Sequence, residues 1–259
     1  MNVIIYPVVL ILLCYCGFTV AYNYFLALAY FFLKDNKRST CDSHHSFCIL
    51  IPASNEEMYL DRLLKSLREI AYPRDMFDVV VIADNCDDRT AAIARENAVN
   101  CIERFAPEHK GKGYALEWAM DQINLNAYHA VLIIDADTYV DPNILKELDW
   151  SLMHGARIVQ CQNALGNPEA SWFTRLQNIM RVIDNVLVHH AKHKLGLSSF
   201  LMGNGMCFTR DIIRRHPWRA VSLCEDFEYY TNLILNNEWI DFNYNAKVFH
   251  QESSTLKQA

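Results

Sequence analysis

The clearest indication of a functional site in this sequence is a pair of aspartates separated by one residue, Asp135 and Asp137. They close the apolar run 130–134, and a short apolar run that ends in acids is typical of a buried parallel strand opening onto a crevice. In a continued strand the two carboxylates would point to the same face. Paired carboxylates there favour Mg²⁺ or Mn²⁺ shared with a diphosphate. The alternative is that these acids are ordinary polar residues of the turn after a strand, with no role in binding.

The elements that must position these acids alternate between strand and helix patterns. Apolar runs of strand length lie at residues 47–52, 77–83, 101–105, 130–134 and 157–161. Helical spacing of apolar residues predicts helices over 56–69, 88–97, 113–123, 143–154, 172–194 and 225–235. Such alternation is typical of right-handed crossover units, so we predict an α/β fold with a mostly parallel sheet and flanking helices.

Polar residues follow three of the predicted strands at their carboxyl ends. The three segments are Pro-Ala-Ser-Asn-Glu-Glu at 52–57, Ala-Asp-Asn-Cys-Asp-Asp at 83–88, and Asp-Ala-Asp at 135–137. Because such ends meet at one edge of a parallel sheet, a nucleotide could be held there by acids and a metal. Helix capping is the alternative for Ser54 and Asp87, and it is the preferred interpretation of Asp88 and Glu57.

Three further segments could contribute to such a site. Glycines and lysines at 110–113 precede a helix and suit a phosphate, but they lack the P-loop spacing, which disfavours ATP hydrolysis. Gly203, Asn204 and Gly205 predict either a turn or a close approach of backbone to a ligand. Asp226, beside Glu225 at the start of a helix, is either a capping acid or a general base for an acceptor hydroxyl.

In this order the motifs resemble glycosyltransferase family 2, of GT-A (Rossmann-like) fold, which includes cellulose, hyaluronan and chitin synthases. The resemblance covers residues 47 to about 252. It implies an inverting transfer of a sugar from a nucleotide sugar, with UDP preferred, to a hydroxyl of a glycan or lipid-linked acceptor. By this resemblance, the residues that bind the nucleotide are Pro52, Ala53, Glu56, Asp84, Lys112 and Asp135, and those that bind Mg²⁺ or Mn²⁺ are Asp137 and Asp135. Asp226 would be the catalytic base, with Glu225 beside it. The acceptor side would be formed by Gly203, Asn204 and Gly205.

The N-terminal part of the chain differs from the rest. Residues 3–33 contain no charged side chain, which predicts a transmembrane anchor over 1–34, followed by a linker over 35–46 in which His44 and His45 are solvated. Lys34, Lys37 and Arg38 follow the apolar run, so the positive-inside rule predicts a single-pass membrane protein with a cytoplasmic catalytic domain at 47–259. Nine cysteines without a CxxC pair agree with a reducing compartment, and a net charge of -6 argues against nucleic acid.

One departure from the family pattern leaves alternatives open. Membrane synthases of this family carry Gln-x-x-Arg-Trp soon after the strand that corresponds to residues 246–250, whereas no Trp follows Trp239 here. We therefore expect a catalytic domain without the family's C-terminal portion, with a further membrane subunit as a partner. The alternatives are a nucleotide-sugar-binding accessory subunit, an inactive truncated synthase, or a nucleotidyltransferase, which acids at 56–57 disfavour because they would repel a triphosphate.

Overall fold

The computed structural model describes residues 2–34 and 44–251. The helices are α1 (Asn2–Phe32), α2 (Leu60–Arg68), α3 (Thr90–Glu96), α4 (Lys112–Gln122), α5 (Ile144–Met153), α6 (Trp172–Ile183), α7 (Ala191–Lys194), α8 (Arg210–Arg215) and α9 (Glu225–Leu235). The strands are β1 (Phe47–Ala53), β2 (Phe77–Asp84), β3 (Asn100–Arg104), β4 (Ala130–Ile133), β5 (Thr138–Val140), β6 (Ile158–Leu165), β7 (Met206–Thr209) and β8 (Asp241–His250). A π-helical segment, Asp184–His190, joins α6 to α7.

All eight strands form one sheet in the order β3-β2-β1-β4-β7-β6-β8-β5. Strands β3, β2, β1 and β4 are parallel, as are β6 and β8, whereas β7 is antiparallel to both of its neighbours and β5 is antiparallel to β8. The chain leaves β1 toward β2 and β3 and later returns on the other side of β1 as β4. This reversal of strand order creates a crevice at the carboxyl ends of β1 and β4, where open α/β sheets bind ligands.

Both faces of the sheet are covered, because alternate side chains of each strand enter different cores. Phe47, Ile49 and Ile51 of β1 pack with α2 and α5, while Cys48 and Leu50 pack with α4 and α9. The predicted leucine stripe of α2 is core, since its four leucines at 60, 63, 64 and 67 are at most 3% exposed. A fully buried leucine contributes about 1.5–3 kcal/mol to folding, so this stripe is a main reason for the helix to pack where it does.

At the crevice, two element ends differ from the sequence prediction. Strand β4 ends at Ile133, so Asp135 and Asp137 lie in a turn, and the argument that strand geometry aligns them was wrong. The helix predicted from residue 56 begins only at Leu60. The reason is that the backbone N–H of Glu56 donates to the Thr90 hydroxyl at 2.8 Å, and Glu57 Oε2 accepts from the backbone N–H of Arg89 at 3.1 Å.

Strands β5 and β8 close the far end of the sheet, and the pairing of β5 was not predicted. Thr138, Tyr139 and Val140 pair with the last residues of β8, directly after the Asp-Ala-Asp turn. Three residues carry too little periodicity to predict a strand, so only the pairing partner reveals it. The contact anchors this turn to the C-terminal strand.

The structure describes only part of the predicted linker, and there it corrects one expectation. His45 is not simply solvated, since its Nδ1 lies 2.6 Å from Oδ1 of the buried Asp149. The backbone N–H groups of His44 and His45 also donate to that carboxylate, at 3.1 and 3.2 Å. A buried carboxylate needs such partners, and these residues supply them just before β1. Lys37 and Arg38 lie outside the described residues.

Helix α1 contains one stretch, Tyr6–Phe32, that is long and apolar enough to cross a membrane by length and composition. Its last turns pack on the described part of the chain, with Leu26 and Ala29 buried against the segment 184–194. The eight cysteines that the structure describes are all free thiols.

Candidate active site

A cavity of about 300 Å³ lies at the carboxyl ends of β1, β2 and β4. It contains every residue that the sequence assigned to nucleotide or metal. Its walls are formed by Pro52, Ala53, Ser54, Glu56, Asp84, Gly111, Lys112, Ala115, Asp135, Ala136 and Asp137. The strand ends therefore meet as the parallel arrangement predicted.

Two of the polar residues beside the cavity hold the backbone and are not wall residues, as predicted. Asp88 accepts bonds from the backbone N–H of Thr90 at 2.9 Å and of Glu57 at 3.0 Å. Glu57 in turn accepts from the N–H of Arg89, at the start of α3. Asp88 and Glu57 thus bind N–H groups at the start of α3, although neither is its N-cap residue, which is Arg89, and these bonds tie the loop after β1 to the helix after β2.

One end of the cavity is formed by Asp84, whose position is set by a residue that the sequence did not reveal. A guanidinium N–H of Arg104 donates to Asp84 Oδ1 at 2.5 Å and to the backbone carbonyl of His109 at 2.9 Å. Asn85 donates to the same carboxylate oxygen at 3.0 Å. Both charged side chains are buried, at 8% and 5% exposure. Arg104 therefore fixes the Asp84 carboxylate at the cavity wall, and its only sequence signal was a cation at the end of a strand.

Lys112 connects the two halves of the site. Its ammonium group donates to the Asp135 carboxylate and, at 2.5 Å, to the backbone carbonyl of Gly203, and it lies 3.9 Å from Glu225 Oε1. Lys112 is the first residue of α4, which can start here because Gly111 adopts a φ of +118°. A cation at this position faces any phosphate that enters the cavity.

Helix α4 also depends on Gly113. A methyl group at this residue would lie 2.3 Å from the backbone carbonyl oxygen of Ala220. The loop before α9 can therefore approach α4 only over a glycine. This close packing brings the start of α9 toward Lys112.

The Asp-Ala-Asp turn is held from several directions through its backbone. Thr138 donates from its hydroxyl to the Asp135 carbonyl at 2.6 Å, and Arg62 donates to the Asp137 carbonyl at 2.9 Å. The backbone N–H of Asp135 donates to the side-chain oxygen of Asn204 at 3.1 Å. These bonds involve the backbone of the turn only. The Asp137 carboxylate itself has no ion pair with another described residue.

Three carboxyl groups around the cavity have raised pKa values. The surrounding protein raises the pKa of Glu56, and the charges of Asp137 and Asp135 add to that effect. Asp137 opens toward solvent, yet the protein around its carboxyl and the neighbouring Asp135 raise its pKa as well. Burial also raises the pKa of Glu225. The protein thus concentrates negative charge that a cation entering the cavity would stabilise.

The Gly203-Asn204-Gly205 segment forms a turn, as one of the two sequence interpretations expected. Gly203 and Gly205 have φ values of +78° and +67°. A methyl group on Gly205 would lie 2.8 Å from Cys161 Cβ, so only glycine fits against β6. The fully buried Gln160, which sequence reasoning missed, donates to the Asn204 carbonyl at 2.7 Å and accepts from the Met202 N–H at 2.9 Å.

Asp226 lies beside this turn at the start of α9. Its Oδ1 accepts a bond from the N–H of Phe227 at 2.8 Å, a free helix donor, which is part of what a capping acid would do. Its Oδ2 would be 3.1 Å from a methyl group placed on Gly203. Glu228 binds the loop before the helix, accepting from the N–H groups of Val221 and Ser222 at 3.1 and 3.0 Å. Asp226 therefore keeps one oxygen at the turn beside the cavity.

The carboxylates of Asp135 and Asp137 suit a hard cation such as Mg²⁺ only if a bound diphosphate supplies further ligands. No group of three or more His, Cys, Asp or Glu side chains within residues 2–34 and 44–251 is arranged to hold a metal alone. Mg²⁺ is commonly bound through one or two carboxylates plus substrate phosphates, and two carboxylates here share a wall with Lys112. The donor set fits an ion that arrives with, or is completed by, a diphosphate.

An open α/β sheet with an acidic and lysine-lined crevice at its topological switch point defines a nucleotide-binding class of proteins. The chain belongs to the family described as "Glycosyltransferase like family 2", whose profile matches residues 44–259. The resemblance drawn from the motifs is thereby confirmed.

Curated relatives agree with this family. The chain is 26% identical over 218 residues to the probable glycosyltransferase YdaM of Bacillus subtilis (strain 168), covering 81% of this chain and 51% of that protein. It is 26% identical over 188 residues to the beta-monoglucosyldiacylglycerol synthase of Nostoc sp. (strain PCC 7120), covering 70% of this chain and 39% of that protein. The chain thus spans about half or less of the length of these relatives.

A solved structure supports the fold. The mannosyltransferase PcManGT from Pyrobaculum calidifontis, in complex with GDP-Man and Mn²⁺, superposes with a TM-score of 0.70 at 17% identity, covering 95% of this chain and 67% of that one. At this identity the likeness is one of fold. It confirms the GT-A fold predicted from the sequence.

Proposed function

We propose that this chain transfers a sugar from a nucleoside-diphosphate sugar to an acceptor hydroxyl. The observation that carries the proposal is the cluster at the end of β4, where Asp135 and Asp137 lie in one cavity with Lys112, and Lys112 also contacts Gly203 beside Asp226. A site for a leaving diphosphate and a candidate base are therefore adjacent. Family membership supports the same reaction class.

The nucleoside end of the donor is assigned to Pro52, Ala53, Glu56 and Asp84. The Asp84 carboxylate offers hydrogen-bond acceptors at the cavity wall, and its ion pair with Arg104 fixes its position. A carboxylate held in this way can accept from a base or ribose donor. We propose UDP as the nucleotide, and GDP is the alternative because the similar PcManGT structure contains GDP-Man.

The diphosphate end is assigned to Lys112, Asp135 and Asp137. When bound here, Mg²⁺ or Mn²⁺ would be held by the two carboxylates and would offset the charge of the leaving diphosphate. Lys112 adds a fixed positive charge from the first turn of α4. The raised pKa of Asp137 fits this role, since its ionised form is incompletely stabilised by the protein alone.

Asp226 is proposed as the general base. Its free oxygen at the Gly203 turn would take the proton from the acceptor hydroxyl as that oxygen attacks the anomeric carbon. Attack from the side opposite to the leaving diphosphate inverts the configuration at that carbon. Glu225, which lies close to Lys112, would be the second acid and would stand beside the donor sugar.

The N-terminal helix is proposed as a single-pass anchor over residues 1–34, with a linker over 35–46 and the catalytic domain at 47–259 on the cytoplasmic side. The apolar stretch Tyr6–Phe32, most of which is exposed, supports it. A glycan or lipid-linked acceptor and an additional membrane subunit belong to the same proposal, and the similar Nostoc protein is named beta-monoglucosyldiacylglycerol synthase. In intact cells an impermeant thiol reagent should leave the exposed Cys224 unlabelled.

The test is a paired measurement on the full chain in nanodiscs. Calorimetry should detect binding of UDP that requires Mn²⁺, with weaker binding of GDP, and nucleotide release should follow from at least one UDP-sugar in the presence of membrane lipids. Binding without release from any sugar nucleotide would favour the accessory-subunit alternative. If neither UDP nor GDP binds, the proposal is contradicted.

A further inference from the structure

Helix α6 is built with its apolar side outward. Its exposed side chains include Trp172, Leu176, Ile179, Met180 and Ile183, which are 44–67% exposed and recur at helical spacing. The one buried residue of this helix is polar, Thr174. In a helix that packs onto a core in water the arrangement is the reverse. The outward face of α6 therefore suits an apolar surrounding.

The same helical run is attached to the N-terminal helix. Helix α6 continues without a break through the π-helical segment into α7, and the last turns of α1 pack on these two segments. The Lys194 ammonium donates to the backbone carbonyls of Tyr30 and Leu33 at 3.2 and 3.0 Å, and it lies 4.5 Å from the centre of the Tyr30 ring. These bonds join the C-terminal end of α1 to the end of the run that α6 begins.

The charge around α6 is opposite to that of the whole chain. The chain has a net charge of -6. Between residues 169 and 194 it has four basic and two acidic side chains, namely Arg175, Arg181, Lys192, Lys194, Glu169 and Asp184. A helix with an apolar face, flanking cations and a terminal tryptophan is typical of helices that lie in the interface of an anionic membrane.

We propose that α6 lies in the surface of the bilayer that α1 crosses, with its apolar face in contact with lipid. The inference rests on the membrane placement of α1 in the proposed function. Its support is the continuity of α6 with the segment that holds α1, together with the basic flanks, which would face anionic headgroups. The occupant of the α6 face is thus the lipid surface.

This placement affects the catalytic end of the molecule. Strand β6 ends at Leu165, and the N–H of Gly166 donates to the His250 carbonyl at 2.7 Å, beside the strand that follows Asp137. The residues that lead into Trp172 therefore start at the edge of the sheet that carries the cavity. With α6 in the interface, an acceptor dissolved in the membrane reaches this edge without leaving the lipid surface.

The test is photo-crosslinking in the full chain, reconstituted into nanodiscs of phosphatidylcholine with phosphatidylglycerol. Benzophenone-alanine replaces Ile179 in α6, Phe18 in α1, or Phe105, which is 84% exposed and follows β3 at the opposite end of the sheet from β6. All three positions are exposed, so the fold should tolerate the probe. We expect lipid adducts at positions 179 and 18, with a yield at 179 well above that at 105.

The three positions separate the possible failures. Lipid adducts at position 18 with no adduct at 179, or with an adduct to a second copy of the chain at 179, would overturn the inference and leave the anchor intact. No lipid adduct at position 18 would overturn the anchor and the inference with it. Equal lipid yields at 179 and 105 would show unspecific labelling and would also contradict the inference.

Discussion

Gly203 and Asp226 lie so close together that a methyl group on Gly203 would be 3.1 Å from Oδ2 of Asp226. Gly203 also has a φ of +78° and offers its carbonyl to Lys112 at 2.5 Å. The glycine turn therefore sets both the distance to the candidate base and the position of the lysine.

Replacing Gly203 with alanine should lower kcat, in addition to a modest loss of stability. Alanine at a positive φ costs about 1–2 kcal/mol, and here it also pushes against the Asp226 carboxylate. Gly196→Ala is the matched control, because Gly196 has a φ of +64° and a methyl group added there would meet only open space. Thermal unfolding and sugar-nucleotide turnover should show similar destabilisation in both variants and a loss of kcat only in Gly203→Ala. Equal kcat in the two variants would contradict the contact.

Asp137→Asn should abolish metal-dependent nucleotide binding and leave the fold intact. The carboxylate has no ion pair to another described residue, so its loss removes a ligand and not a core contact. Asp211→Asn is the control, since that carboxylate is 69% exposed on α8. Calorimetric titration of UDP with and without Mn²⁺ checks the effect. An unchanged Mn²⁺-dependent affinity would remove Asp137 from the metal site.

Asp226→Asn should lower the rate of sugar transfer while nucleotide affinity is kept. General-base catalysis contributes roughly 10²–10⁴-fold to rate, so a loss of that size is expected. Glu228→Gln is the comparison, because Glu228 holds the loop before α9 through two backbone bonds. That variant should lose stability and keep most of its kcat. If Asp226→Asn behaved like Glu228→Gln, Asp226 would be a capping acid only.

Arg104→Met should weaken nucleotide binding and destabilise the fold. Removing one partner of a buried ion pair costs about 3–5 kcal/mol, because the other charge stays buried and unpaired. The double variant Asp84→Asn with Arg104→Met should recover much of the stability and none of the affinity, since the carboxylate at the cavity wall is gone. Chemical denaturation and UDP calorimetry measure the two effects. Recovery of affinity in the double variant would argue against a role of Asp84 in binding.

The pKa of Glu225 gives a pH-dependent prediction. Burial raises this pKa in the folded state, so the group favours folding when protonated, and that contribution is lost as pH rises through the raised pKa. Glu225→Gln should therefore unfold at a higher temperature than the wild type at neutral pH and at a similar temperature in acid. Melting curves across that pH range, without nucleotide, test it. A variant that is less stable at neutral pH would show that Lys112 outweighs burial.

Local sequence determined much of this protein. The leucine spacing of α2 and the bounds of α9 at Glu225–Leu235 could be predicted, because amphipathic periodicity depends on residues within a few turns. The apolar runs that end in acids placed Asp84, Asp135 and Asp137 at one sheet edge, since the carboxyl ends of parallel strands must meet there. Ordered motifs were sufficient for the family, which the match over residues 44–259 confirms.

The tertiary structure alone decided which partner each polar group has. Arg104 binds Asp84 across 20 residues, Gln160 holds the Asn204 turn across 44, and Asp149 binds His45 across 104. Such pairings depend on strand order and crossover path, which no local pattern encodes. The outward apolar face of α6 is of the same kind: its periodicity predicts a helix, but which side faces the sheet is set by its packing against β6.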